Sequence, residues 1–194
     1  MSANQPKRIS SLDRDTSRKL FWPILLMLVV VVLDQATKYL AIQHLSSELS
    51  REVLGRFLMF TLIFNKGGAL GTSFGSSTYY LVSGILILGF LLYYVYHYRN
   101  YAFYSWPLAL IAGGAIGNLV DRLRFSRVVD FIDVDFFDID ILGFHLDRWW
   151  TFNIADAAIS CSIVFLLAVV LFGHGRSPQP PGTHPENDPN ISSA

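Results

Sequence analysis

The 194 residues are 52% hydrophobic and only 15% charged, with 15 Lys+Arg against 15 Asp+Glu and a mean hydropathy of +0.40. That balance is too apolar for a soluble domain of this length and indicates a polytopic membrane protein. Zero net charge without a basic stripe argues against a nucleic-acid partner. The single cysteine, Cys161, excludes an intramolecular disulfide and cannot build a zinc site.

In chain order, a basic tail (Lys7, Arg8, Arg14, Arg18, Lys19) precedes the first apolar run, at about 20–33, which continues through Asp34-Gln35-Ala36-Thr37-Lys38 to Leu40. The tail and run look like a secretory leader, but no Ala-x-Ala-like pattern closes them, so they read as a retained helix. Residues 41–78 follow. Within them, 57–64 is rich in β-forming types and runs into the glycine-rich turn Asn65-Lys66-Gly67-Gly68-Ala69-Leu70-Gly71. A small sheet lying on the membrane is expected there. The second and third apolar runs occupy 79–98 and 101–120. Residues 123–151 carry mixed acidic and aromatic side chains and read as an interfacial loop or short helix. The fourth run spans 154–172, and the Pro-, Ser- and Asn-rich 174–194 reads as a disordered tail.

Each run reaches roughly 20 residues, enough to cross ~30 Å of hydrocarbon. Four crossings put both termini on one side, and the basic first tail assigns that side to the cytoplasm, with Arg99 and Arg176 agreeing. Arg122, Arg124, Arg127 and Arg148 fall on the other side and weaken the bias without reversing it. The expected fold is an all-α membrane protein of four transmembrane helices. It carries a small extracytoplasmic sheet at about 41–78 and an interfacial extracytoplasmic loop or short helix at about 123–151. The membrane domain spans 20–173, between cytoplasmic tails 1–19 and 174–194.

Ionisable groups at the ends of such helices are costly and mark function by default. Asn118, Asp121 and Arg122 share a helix face, after Gly113, Gly114 and Gly117, which let a neighbouring helix approach closely. The plain alternative is a polar helix end with a structural Asp121–Arg122 pair. Asn153 and Asp156 share a face at the start of the fourth run. Helix capping explains Asn153 well and Asp156, a turn further in, less well. Asp130 sits in the apolar stretch Val128-Val129-Asp130-Phe131-Ile132, where a carboxyl should have a raised pKa; otherwise it is an ordinary loop acid. If Asp130 and Asp156 meet, they can share a proton and serve as base and acid for attack of water on a carbonyl. Asp34 and Lys38 stand at i, i+4 in the favourable order, as a snorkelling interfacial pair or as support for the site. Asn65 is a turn-former or an amide placed over a substrate backbone. The acidic residues Asp133, Asp135, Asp138 and Asp140 lack the glycine and closing Glu of a calcium loop and read as solvated. No His-Glu-x-x-His motif is present, so zinc hydrolysis has no support.

Taken together, five blocks resemble the lipoprotein signal peptidase (signal peptidase II) family over about 20–172. They are Asp34 to Lys38, Asn65 to Gly71, Gly113 to Arg122, Val128 to Phe131 and Phe152-Asn153-Ile154-Ala155-Asp156. The resemblance implies a bacterial inner-membrane aspartyl endopeptidase that cuts signal peptides from diacylglyceryl-modified prolipoproteins, just before the lipid-bearing cysteine. It implies catalytic roles for Asp130 and Asp156, and substrate-binding roles for Asn65, Gly67, Asn118, Arg122, Asn153 and Ala155. Asp34, Lys38 and Asp121 become supporting residues. Prolipoprotein substrates and membrane lipid are the implied partners, with no metal, cofactor or obligatory protein partner. Leu70 stands where members usually carry Phe, and the stretch between Asp130 and Asp156 is longer than usual. A proton-coupled carrier would instead favour mid-membrane charges and an inverted repeat, and a scaffold would not need five polar blocks. Neither describes this chain as well.

Overall fold

The structure, a computed structural model, describes residues 5–67, 76–135, 139–141, 144–146 and 151–172. Gly68 to Gly71, Asp138, Arg148 and the tail 174–194 lie outside the described residues. Among the described residues, four helices are long and apolar enough to cross a membrane. They are α1 (Gln5–His44), α2 (Ser77–His97), α3 (Ala102–Phe125) and α4 (Ile154–Phe172). The span within α1 is Asp15–His44. The helix therefore runs on from the segment read as a tail into the first span.

Lipid-compatible surface dominates. Leu28, Val32, Leu86, Phe90, Val164 and Leu167 are all exposed, as expected where hydrocarbon rather than protein covers the helix. Burial concentrates instead on α3, which packs against α1, α2 and α4. The small residues of α3 make this possible. A Cβ on Gly113 would lie 2.9 Å from the Met27 carbonyl oxygen of α1, and one on Gly114 would lie 2.6 Å from the Ala155 carbonyl oxygen of α4. Backbone-to-backbone approach of this kind is open only to glycine.

Outside the helices, β1 (Arg51–Leu54), β2 (Leu58–Asn65) and β3 (Val128–Val134) form an antiparallel sheet in the order β1-β2-β3. A short hairpin pairs β4 (Ile139–Ile141) with β5 (Phe144–Leu146). The sheet thus draws its third strand from 123–151, where the sequence suggested a loop or short helix. Ser126 makes the strand possible: it caps α3 in the left-handed region (φ 57°), and its N–H bonds the Arg122 carbonyl at 2.9 Å. Val129 and Phe131 then pack with Leu62 of β2 and Ala41 of α1 in one buried cluster. Successive strand residues face opposite ways, so Asp130 is directed away from that cluster. Asp133 is buried too and accepts a hydrogen bond from Thr61 Oγ1 at 3.0 Å. It is a sheet residue, not the solvated loop acid the sequence suggested.

Candidate active site

Asp130 sits in β3, opposite Ile63 of β2, while Asn65 lies opposite Val128. Asn65 is therefore a diagonal neighbour of Asp130, and its Nδ2 donates to Asp130 Oδ2 at 3.1 Å. The Asn65 side-chain oxygen is occupied by the backbone N–H of Gly67, at 2.8 Å.

Asp156 arrives from the first turn of α4. Asn153 precedes the helix, and its Oδ1 accepts from the Asp156 N–H at 2.9 Å, while the Asp156 carboxylate accepts from the Asn153 N–H at 3.4 Å. This reciprocal arrangement is a capping box with amide and carboxylate members. It uses the oxygen of Asn153 and leaves its Nδ2 facing inward, 2.7 Å from Asp130 Oδ1 and 3.3 Å from the Val129 carbonyl. Asn153 thus ties Asp156 to Asp130, and it is fully buried. From α3, Asn118 Nδ2 donates to Asp156 Oδ1 at 2.8 Å, and Asn118 Oδ1 accepts from Asn153 Nδ2 at 3.2 Å.

Behind these residues lies a second cluster. Lys38 Nζ is 2.8 Å from Asp34 Oδ2, 2.8 Å from Asp121 Oδ2 and 3.0 Å from Asn118 Oδ1. The side chains of Lys38, Asp34 and Asp121 are 2%, 0% and 1% exposed. Lys38 does not snorkel to the interface; it is enclosed between α1 and α3. Burial without water is tolerable here because every charge has partners. Gln35 adds to them, with Nε2 reaching Asp121 Oδ1 (3.0 Å), Asp34 Oδ2 and the Gly117 carbonyl (3.2 Å each).

Arg122 does not pair with Asp121, as the sequence suggested. Residues adjacent on a helix point in different directions. Arg122 Nη2 instead donates to the Gly67 carbonyl at 3.2 Å, Nη1 donates to the Asn118 carbonyl at 3.4 Å, and Cζ lies 5.7 Å from the Tyr80 ring centroid. It joins α3 to the segment after β2. Ala155, expected among the substrate-binding residues, is fully buried, and its N–H bonds Asp34 Oδ1 at 3.0 Å. Its carbonyl oxygen lies against Gly114 of α3.

Desolvation by burial, and next the charge of Asp156, push the Asp130 carboxyl up to about 7. The amides of Asn65 and Asn153 and the charge of Lys38 hold back a larger rise. A carboxyl poised near neutrality can accept or donate a proton at working pH. Among the described residues no group of three or more His, Cys, Asp or Glu is placed to hold a metal ion. The structure thus brings Asp130, Asp156, Asn65, Asn118 and Asn153 into one hydrogen-bonded network, with Asp34, Lys38 and Asp121 behind it and Gly67 and Arg122 at its edge. Gln35 and Tyr80 were not singled out from the sequence. For Gln35 the signal was present, as an amide beside Asp34 in a membrane-spanning run; for Tyr80 there was none.

The signal peptidase (SPase) II family model matches residues 26–172. A lipoprotein signal peptidase from Chlorobium phaeobacteroides (strain BS1) is 42% identical over 141 residues, covering 72% of this chain and 89% of its own. One from Coxiella burnetii (strain Dugway 5J108-111) is 41% identical over 158 residues, covering 77% and 90%. A solved bacterial membrane enzyme structure, obtained by the in meso method at 2.3 Å resolution, superposes with a TM-score of 0.66 at 30% identity, covering 81% of this chain and 92% of the other. A second, at 1.9 Å resolution, gives 0.64 at 32% identity, covering 77% and 92%. Sequence and fold agree over most of the length of each relative, and the chain belongs to the signal peptidase II family, the lipoprotein signal peptidases.

Proposed function

We propose that this protein removes signal peptides from diacylglyceryl-modified prolipoproteins by aspartic-type hydrolysis, cutting just before the lipid-bearing cysteine. Both termini then lie in the cytoplasm and the site at the outer surface. Family membership supports the removal of signal peptides from prolipoproteins. The aspartic chemistry rests on one observation: Asn153 ties the Asp130 and Asp156 carboxyls into a single network at the ends of β3 and α4.

Such a pair works with one carboxyl ionised and one protonated. The ionised member takes a proton from water as the water oxygen bonds to the scissile carbonyl carbon. The protonated member gives its proton to the carbonyl oxygen, forming a tetrahedral diol. Collapse breaks the C–N bond, and the proton taken from water passes to the departing amine. The products are the signal peptide with a new carboxylate and a lipoprotein with a new N-terminal cysteine. A substrate anchored by both a signal helix and a diacylglyceryl group has its scissile bond at the membrane surface. A site at helix ends meets that requirement.

The test is cleavage of a lipidated precursor by purified protein in detergent. Asp130→Asn and Asp156→Asn are nearly isosteric, and each should lower kcat roughly 100- to 10,000-fold, the usual worth of a general acid or base. The double variant should be little worse than either single, because the pair acts as a unit. Wild-type rates from either folded single variant would refute the dyad.

A further inference from the structure

Lys38 reaches both candidate catalytic aspartates without touching either. Its three ammonium protons meet three acceptors, Asp34 Oδ2, Asp121 Oδ2 and Asn118 Oδ1. Asp34 Oδ1 accepts the backbone N–H of Ala155 at 3.0 Å, the residue immediately before Asp156. Asp121 Oδ2 accepts the backbone N–H of Val129 at 3.1 Å, the residue immediately before Asp130. The third acceptor, Asn118, turns its Nδ2 onto Asp156 itself. An ammonium can only donate, so it holds the Asn118 oxygen and commits the other end of that amide to donate to the carboxylate. One side chain on α1 thereby connects to the main chain beside each aspartate, in β3 and in α4, and to an amide that contacts one of them.

We propose that Lys38 is a positioning residue for the reaction. Through Asp34, Asp121 and Asn118 it sets the placement of the Asp130 and Asp156 carboxyls and the direction of the hydrogen bond that Asp156 receives. This rests on the Asp130/Asp156 reading above. The charged groups facing Lys38 are Asp34 on α1, Asp121 on α3, Asp156 on α4 and Asp130 on β3. Lys38 is a cation that favours the ionised form of Asp130, so its loss should also move the acid limb of the pH–rate profile to higher pH.

The experiment measures kcat, KM, the pH–rate profile and thermal unfolding for Lys38→Met and Lys38→Met/Asp121→Asn on a lipidated precursor in detergent. The double variant removes one charge of each sign, so the buried cluster keeps its net charge. The expected result is a drop in kcat of roughly ten- to a hundredfold in both, the scale of one lost hydrogen bond to a charged group. KM should change little, and in the single variant the acid limb should shift upward. Wild-type kcat in the folded double variant, or an unshifted limb in a folded single variant, would overturn the assignment. Failure of both variants to fold would also overturn it, making Lys38 a determinant of the fold alone. Asp130→Asn and Asp156→Asn run alongside: if these remain active the dyad reading fails, whereas if they are inactive and the Lys38 variants are normal, only the role of Lys38 fails.

Discussion

Asn153 makes two separable contributions, and replacing it with Ala should reveal both. As the residue capping α4, its Oδ1 satisfies the Asp156 N–H. Loss of such a cap lowers stability by about 1 kcal/mol. As the inner partner of Asp130, its Nδ2 makes a 2.7 Å bond to a carboxyl oxygen, and a bond of that kind to a charged acceptor is worth roughly 1.5–3 kcal/mol. A donor favours the ionised acid, so its removal raises the Asp130 pKa further above its value of about 7. At 1.36 kcal/mol per unit, the increase should be about one to two units. At pH 7 the ionised fraction of Asp130 then falls from about half to between roughly 1% and 10%. Where that ionised form is the base, cleavage at pH 7 drops by a comparable factor and recovers on raising the pH.

The assay is the pH–rate profile of Asn153→Ala on a lipidated precursor, with thermal unfolding measured on the same preparation. The expected pair of results is a modest loss of stability together with an upward displacement of the limb that reports Asp130. Lower stability with an unmoved profile would show that Asn153 acts only as a helix cap. The carboxyls would then not be coupled through it.

Gly114→Ala should reduce activity out of proportion to its size, because its Cβ would lie 2.6 Å from the Ala155 carbonyl oxygen and 2.8 Å from Ile159 Cγ1. Helix α4 must move to admit it and carry Asp156 along; wild-type kcat in this variant would mean that the close approach does not position the site. Reporter fusions at residues 50 and 140 should read outside and a fusion at residue 99 inside. An inside signal at 140 would refute the proposed topology and put β3 on the wrong side for a lipidated substrate.

The four spans were legible because hydrocarbon imposes a length and composition on any segment that crosses it, and runs such as 154–172 meet both. The polar residues of the site were legible as exceptions to that rule. The strand β3 was not. Val128-Val129-Asp130-Phe131-Ile132-Asp133-Val134 is buried on both faces apart from the half-buried Ile132, so it lacks the period-two alternation that marks a half-exposed strand. Its two acids, three apart, made it look like a loop. The partner of Asp121 was also beyond reach. Arg122 is adjacent in sequence, but the adjacent position on a helix faces elsewhere, and the true partner, Lys38, is brought in by helix packing that only the fold supplies. The i, i+4 spacing of Asp34 and Lys38 did reveal their pairing, but not that Lys38 carries two further partners on α3.

The three asparagines of the site share one wiring rule. An Asn amide can face a neighbour with its oxygen or its nitrogen, and what fixes the choice is the partner at the other end. For Asn65 that partner is the Gly67 N–H, for Asn118 the Lys38 ammonium and for Asn153 the Asp156 N–H. None of these three groups can accept a hydrogen bond, so each holds an oxygen. Every amide is therefore left presenting N–H groups to the acids: Asn65 and Asn153 to Asp130, Asn118 to Asp156. Burial and the charge of Asp156 favour the protonated form of Asp130, while the inward-facing donors favour the ionised one. The opposition of these two pressures brings Asp130 close to neutrality. Asn suits these positions because it donates without adding charge. Asp in its place would add a negative charge beside the dyad, and Lys would remove the tension by fixing the acid as ionised. Asn65 and Asn153 are thus the means by which a nonpolar environment holds the Asp130 carboxyl close to its point of proton exchange.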